Sequence, residues 1–129
     1  MMTRQEDMIA LRNHPEIHYN CAQSVLIPFA EELGITREQA NAVAAHFGGG
    51  MGCGLVCGAV TGALMAMGGL NVPEEKRLEL VEQFRAAHGS VNCADLVVDL
   101  EKGTPERKCL CDGLVAECLN FVCKLTEKE

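Results

Sequence analysis

A stretch of 25 residues without a charged side chain, residues 47–71, constrains the fold of this chain most strongly. It reads FGGGMGCGLVCGAVTGALMAMGGLN: a cluster of glycines comes first, and an apolar run over residues 55–67 follows. Glycine allows the backbone to adopt positive φ and to approach other atoms closely. The apolar run is long enough for a helix. We therefore expect a glycine-rich loop that leads into a central, buried helix.

Two cysteines, Cys53 and Cys57, lie at the junction between the glycine loop and this helix. The N-terminus of a helix presents unpaired N–H groups and the positive end of the helix dipole. Such an environment favours the thiolate form of cysteine, which suits redox chemistry or metal ligation. The alternative is a tightly packed helix with two inert, buried cysteines, and this stretch alone leaves both interpretations open.

The uncharged stretch is also long enough to cross a membrane, and Gly54, Gly58 and Gly62 form a small-xxx-small series. The glycines leave a strictly apolar part that is too short for a span, so we expect no membrane helix. A soluble helix that another backbone or a cofactor can approach accounts better for the series. The same glycines on an apolar helix would also suit a homodimer.

Helical patterns run through the rest of the chain, and no segment shows the alternation of a strand. Aromatic residues are scarce, so closely packed helices rich in Ala, Leu, Val, Ile and Met must supply the core. We expect one all-α domain over residues 1–129, a compact bundle of five to seven helices around the Gly-rich central helix. Helices are predicted over residues 3–12, 21–33 with a bend at Pro28, 36–47, 74–88, 93–100 and from 110 or 111 to 125. Residues 101–108 read as a polar loop. Among the predicted buried positions are Ala40, Val43, Ala44, Leu78, Leu80 and Phe84.

Charge and cysteine content limit the function. The net charge of −7 argues against a nucleic-acid partner, because phosphate contacts need clustered basic residues. The N-terminus has no apolar run of signal-peptide length, so we expect a cytoplasmic protein. In that reducing compartment eight cysteines more often serve metals or redox chemistry than structural disulfides. Structural disulfides and unpaired core cysteines remain the alternatives.

Four cysteines from separate segments each fall near a predicted helix N-terminus: Cys21, Cys57, Cys93 and Cys111. If these termini converge, their N–H groups and dipoles make a pocket that stabilises concentrated negative charge. A thiolate-ligated iron–sulfur cluster is such a charge, and four cysteines are its usual ligand set. A structural zinc ion would use the same residues, although zinc sites usually carry local cysteine pairs. The comparable local spacings here are Cys53-x₃-Cys57 and Cys109-x-Cys111.

Four sequence blocks carry a resemblance to a known family. In order, they read NCAQSVL (20–26), FGGGMGCGLVCGAVTGALMAMG (47–68), HGSVNCADL (88–96) and CDGLV (111–115). Together they resemble the C_GCAxxG_C_C family of redox-active proteins. The resemblance implies a small α-helical redox domain, and a similar domain forms part of split-Soret cytochromes, which carry a non-haem iron–sulfur cluster. This chain has no C-x-x-C-H, so covalent c-type haem is not expected.

The resemblance assigns the family cysteines to Cys21, Cys57, Cys93 and Cys111. The local sequence GCGLVCG departs from the spelling of the family name, and Cys57 fits better than Cys53 because CGAVTG starts there. Cys53 and Cys109 are then alternative ligands or resolving thiols. We expect Cys118 and Cys123 to be small core residues.

These observations predict a small electron-transfer protein, rather than a substrate-specific enzyme, with a 2Fe–2S or 4Fe–4S cluster. Its redox partner cannot be read from the sequence. The glycines that would let backbone N–H groups reach the sulfurs are Gly49, Gly50, Gly52, Gly54 and Gly58. The rival functions are a thiol–disulfide redox protein that uses Cys53/Cys57 or Cys109/Cys111, and a structural zinc-binding module.

Overall fold

A computed structural model describes residues 2–126 of the chain. This part of the chain contains eight α-helices and a single isolated β-bridge, so the all-α prediction is confirmed. The helices are α1 (Arg4–Arg12), α2 (Cys21–Leu26), α3 (Ala30–Leu33), α4 (Arg37–Val43), α5 (Gly58–Gly69), α6 (Glu75–His88), α7 (Cys93–Leu96) and α8 (Pro105–Thr126). A wide turn, Gly50–Gly54, precedes α5.

Helices α2 and α3 are two halves of the one bent helix predicted from the sequence. Pro28 lies between them in a 3₁₀ turn, Ile27–Phe29, because proline has no N–H to continue the helical hydrogen bonds. Gly34 then ends α3 in the left-handed conformation, at φ +75°. With α2 and α3 regarded as one helix, the described residues hold seven, within the predicted range.

Helix α5 is the centre of the bundle, and α2 and α8 pack against it. Ala59, Val60, Ala63 and Ala66 of α5 are fully buried. Gly62 allows the closest approach, since a Cβ at that position would lie 2.7 Å from the carbonyl oxygen of Ala22. The backbones of α5 and α2 are therefore almost in contact, as the glycine content of this helix suggested.

The glycine series faces other segments of the same chain. Gly58 and Gly62 pack on Ala22 of α2, and Gly54 packs on Ala94 of α7. Contacts inside the fold thus explain the glycine series. The series no longer supports a homodimer, which stays a prediction. Within residues 2–126 no helix combines the length and apolar character that crossing a membrane requires.

The start of α8 corrects one prediction. The helix begins at Pro105, whereas the sequence pattern placed its start at residue 110 or 111, so the predicted loop ends at residue 104. Pro105 occupies the first helical position, where its missing N–H costs nothing, and the hydroxyl of Thr104 accepts a hydrogen bond from the N–H of Arg107. The start signals were present, but the surrounding polar residues hid them.

The predicted helix faces were right in part. Ala40, Ala44, Leu80 and Phe84 are buried, and so are Cys118 and Cys123. Val43 and Leu78 were predicted to be buried and are 56% and 59% exposed. Both lie on helices with one narrow contact face, where neighbouring residues of the same apolar pattern already fill the core.

Candidate redox site

An antiparallel bridge between two short segments fixes the positions of two predicted site cysteines. The N–H of Cys57 donates to the carbonyl of Val91 at 2.8 Å, and the N–H of Cys93 donates to the carbonyl of Leu55 at 2.6 Å. These bonds flank the bridge between Val56 and Asn92. Side chains alternate between the two faces of extended backbone. Cys57 and Cys93 therefore lie on the same face of the bridge, each next to a helix start.

The third cysteine, Cys21, reaches this region because glycine allows its helix to approach. A Cβ on Gly58 would lie 3.1 Å from the backbone nitrogen of Ala22 and 3.3 Å from the Cβ of Cys21. Asn20 caps α2 with its side chain and also donates to the carbonyl of Ala44 at 3.2 Å. Cys21 is thus held at the first position of α2 and against the residue that follows Cys57.

The other glycines predicted to bind a cofactor do different things. A Cβ on Gly50 would lie 2.9 Å from the Cβ of Cys93, so this glycine makes room for the cysteine. Gly54 makes the same kind of room for Ala94. Gly49 and Gly52 have positive φ, at +63° and +74°, and face open space. Their conformations shape the turn, and a direct role toward a cofactor stays a prediction.

Cys111 completes the group from α8. Its thiol lies near that of Cys21, and a side-chain interaction between the two shifts both pKa values; Cys57 lies within electrostatic range of both Cys93 and Cys111. Cys21, Cys57, Cys93 and Cys111 therefore lie in one region of the fold, and their role as a common ligand set stays a prediction. One detail is corrected: Cys111 lies in the second turn of α8 and not at its N-terminus, because the helix begins at Pro105.

Burial controls the protonation of Cys57. It is the N-cap residue of α5 and only 4% exposed, and burial raises its pKa to about 11. The N–H groups of Ala59 and Val60 oppose this shift, although their geometry falls short of a full capping hydrogen bond. The expectation that the helix N-terminus favours the thiolate is thus wrong for Cys57 in the metal-free protein, since desolvation outweighs the dipole.

The contacting thiols of Cys21 and Cys111 shift each other's pKa in opposite directions. Their hydrogen bond, followed by burial, raises the pKa of Cys21, and the same hydrogen bond lowers the pKa of Cys111. The two thiols therefore titrate together, and Cys111 is the more acidic of the two.

Two arginines supply positive charge to the site, and the sequence analysis identified neither. Arg107 of α8 lowers the pKa values of Cys93 and Cys111, although burial still raises the pKa of Cys93 overall. Arg12 of α1 faces both Cys21 and Cys111. No local sequence signal marks Arg12, because the residues that it contacts are far away along the chain.

The remaining cysteines lie around this group. Cys53 is exposed and its thiol donates to the carbonyl of Gly50 at 3.6 Å, and Cys109 is exposed on α8. Cys118 is fully buried within electrostatic range of Cys57, and burial raises its pKa. Cys123 is buried and accepts a hydrogen bond from Gln5.

None of the six candidate cysteines forms a disulfide in the described part of the chain. Cys21, Cys53, Cys57, Cys93, Cys109 and Cys111 are free thiols. Across residues 2–126, no three His, Cys, Asp or Glu side chains are grouped so that they could hold one metal ion. The arrangement is a partly buried set of four sulfurs with two arginines beside it.

These features define a small all-α domain in which four segments contribute cysteines to one site. The chain belongs to the C_GCAxxG_C_C family, described as "Putative redox-active protein (C_GCAxxG_C_C)", which it matches over residues 19–125. The match covers α2 to α8 and leaves out α1. No curated protein and no solved structure matches the chain.

Proposed function

We propose that this chain is a small electron-transfer protein that holds an iron–sulfur cluster with Cys21, Cys57, Cys93 and Cys111. The observation that supports the proposal is that these four thiols, from four separate segments, lie within electrostatic range of one another. Membership of a redox-active family agrees with it. The family description extends to redox activity alone, and the cluster is our inference.

The chemistry of the donor set fits such a group. Four cysteine thiolates are the usual ligands of both 2Fe–2S and 4Fe–4S clusters, and a bound cluster supplies one-electron transfer. Three of the cysteines lie at the starts of α2, α5 and α7, where the first backbone N–H groups of a helix have no partner within the helix. The high pKa of the buried thiols is no obstacle, because ligation displaces protons.

Burial differs among the four cysteines in a way that suits electron transfer. Cys57 is buried, whereas Cys21, Cys93 and Cys111 are partly exposed. The inner side chain shields the centre from water, and the partly exposed cysteines leave an edge near the surface. A redox partner would approach at that edge, beside Arg107.

A zinc module is the weaker alternative. Four thiolates around zinc must each lie about 2.3 Å from one point. The described residues hold no three donors grouped for a single ion. A cluster makes a different demand, because its ligands surround several iron atoms.

Thiol–disulfide chemistry is the stronger alternative, with a pair other than those predicted. The contact between the thiols of Cys21 and Cys111 favours this pair. The predicted pairs have less support. Cys53 is exposed while Cys57 is buried, and Cys109 is exposed on α8, two residues before the partly buried Cys111.

Anaerobic reconstitution of cysteine variants tests the proposal. Cys21→Ala, Cys57→Ala, Cys93→Ala and Cys111→Ala should each lose most of the bound iron and sulfide. The matched controls are Cys53→Ala, at an exposed position of the same loop, and Cys118→Ala, a buried cysteine behind Cys57. Both controls should bind iron and sulfide like the unchanged protein. Equal binding in all six variants would contradict the proposed ligands.

Two further points belong to the proposal. We expect the protein to work in the reducing cytosol, where its thiols stay available for ligation. Sedimentation equilibrium of the loaded protein measures the oligomeric state directly. A mass twice that of the chain would support the homodimer, and a mass equal to that of the chain would contradict it.

A further inference from the structure

One arginine side chain joins two of the cysteine segments. The side chain of Arg12, at the end of α1, is only 7% exposed. Its Nε donates to Oδ1 of Asp112 at 2.7 Å, and its Nη1 donates to the carbonyl oxygen of Tyr19 at 3.0 Å. Asp112 follows Cys111 directly, and Tyr19 lies two residues before Cys21. Arg12 therefore connects the two cysteine segments. It binds the backbone carbonyl of Tyr19, before Cys21, and the side chain of Asp112, after Cys111.

The ion pair with Asp112 does not fully neutralise the charge of Arg12. A buried guanidinium needs a negative partner, because desolvation of an isolated charge is costly. Asp112 serves as that partner, but it is shared with Nζ of Lys108, at 2.7 Å. Burial lowers the pKa of Arg12, but Cys21, Asp112 and Cys111 lie within electrostatic range and together raise it above the ordinary value. The side chain thus supplies fixed positive charge next to two sulfurs.

We propose that Arg12 is a positioning residue that clamps the segments of Cys21 and Cys111 together and raises the reduction potential of the centre they form. Adding an electron makes the centre more negative, and a cation nearby stabilises that reduced state. Arg12 lies in α1, outside the matched residues 19–125, so the family pattern assigns it no role. The inference rests on the proposed site and applies both to a cluster and to a Cys21–Cys111 dithiol.

The dithiol case has a balanced reaction. The thiols of Cys21 and Cys111 react with glutathione disulfide, the oxidant. One S–S bond forms between the cysteines, the S–S bond of glutathione breaks, and two reduced glutathione molecules carry away the two protons and two electrons. Loss of the charge of Arg12 removes support from the thiolate side of this equilibrium and favours the disulfide, whereas loss of the clamp acts against the disulfide. We expect the charge to dominate, and Arg12→Lys, which keeps the charge, separates the two effects.

The test compares three variants of the full chain. Arg12→Met removes both the clamp and the charge, and Arg12→Lys keeps the charge without the two-sided fork. Arg37→Met is the matched control: Arg37 also pairs with a carboxylate of α1, that of Asp7, at 2.7 and 3.0 Å, and it is no part of the cysteine site. Two potentials are measured for each variant, that of the reconstituted protein and that of the metal-free thiols in glutathione buffers. Mass spectrometry locates the disulfide in the second measurement.

Arg12→Met should lower the potential and Arg12→Lys should restore most of it, while Arg37→Met leaves it unchanged. We expect at least a tenfold shift of the equilibrium, which corresponds to about 59 mV for one electron and about 30 mV for two. If no cluster forms, the potential measured in glutathione buffers still tests the role of Arg12. Failure of the proposed cluster can therefore be told apart from failure of this inference. An unchanged potential in Arg12→Met, with only a loss of stability, would reduce Arg12 to a structural residue and overturn the inference.

Asp112→Asn keeps the inference testable even if Arg12→Met does not fold. It removes a negative charge next to Cys111 and leaves Arg12 in place, so the potential should rise. A fall in potential would contradict the electrostatic account.

Discussion

The contact between α5 and α2 yields a sharp prediction, because a single added methyl group has nowhere to go. In Gly62→Ala the new Cβ would lie 2.7 Å from the carbonyl oxygen of Ala22, and 3.1 Å from both the Cα of Ala22 and the Cβ of Val25. Two of these atoms belong to backbone, so no side-chain rotation relieves the contact. Helix α2, with Cys21 at its start, must move away from α5.

The magnitude follows from two opposing terms. Alanine is favoured over glycine in a helix by about 1 kcal/mol. Overpacking of a close contact costs about 1–3 kcal/mol, and a contact with backbone belongs at the upper end of that range. We therefore expect Gly62→Ala to lower the free energy of unfolding by roughly 1–2 kcal/mol.

Gly68→Ala is the matched control, since it makes the same substitution in the same helix. No atom lies within 4 Å of a Cβ at that position, so only the helix-propensity gain applies. This variant should be more stable by up to about 1 kcal/mol. Urea unfolding of the reduced proteins, followed by circular dichroism, should separate the two midpoints by roughly 1 M. A midpoint for Gly62→Ala equal to or above that of Gly68→Ala would refute the proposed close packing.

Two further predictions concern the cap of α2 and the buried thiols. Asn20→Ala should lower the free energy of unfolding by about 2 kcal/mol, because it removes a helix cap and the hydrogen-bond donor to the carbonyl of Ala44. Thr36→Ala removes only an exposed cap and should lower it by about 1 kcal/mol. Equal losses of stability on thermal unfolding would contradict the proposed link between α2 and α4. The stability of the metal-free protein should fall above pH 9, because burial raises the pKa of Cys57 from its ordinary value of 9.0 to about 11 and raises the pKa of Cys118 as well. The unfolded chain then binds fewer protons than the native protein, so this stability is present below pH 9 and is lost as pH rises toward 11. Urea titrations across this range should show a shallower decline for Cys118→Ala, and a flat profile in both proteins would refute the assignment.

Local signals in the sequence were enough to predict most of the helices. The side chains of Asn20 and Thr36 cap their helices, and Gln23 and Gln39 complete the capping boxes. Gly34 ends a helix because its positive φ is costly for other residues. These features depend on neighbours within four residues, which is why a sequence pattern reveals them. The exposure of Val43 shows the limit, since an apolar pattern does not say how wide the contact face of a helix is.

The positions of the candidate cysteines on their helices were predictable, and their arrangement in space was not. The predicted helix starts and the glycine loop marked where Cys21, Cys57 and Cys93 would lie. Their convergence depends on the bridge between Val56 and Asn92, which are far apart along the chain. Such long-range pairing leaves no periodic signal in one sequence.

The electrostatics of the site were the least predictable part. Arg12 and Asp112 are 100 residues apart, and neither lies in a pattern that marks it as a partner of the other. The protonation of Cys57 also depended on burial, which the sequence suggested only qualitatively. Its position at a helix N-terminus indicated a thiolate, whereas burial of the side chain raises its pKa and favours the thiol.

Iron and acid-labile sulfide in protein purified without oxygen test the central claim most directly. The account predicts iron and sulfide in matching amounts per chain, together with the visible absorption of a thiolate-ligated cluster. Zinc without sulfide, or neither metal with a reversible Cys21–Cys111 disulfide, would contradict it.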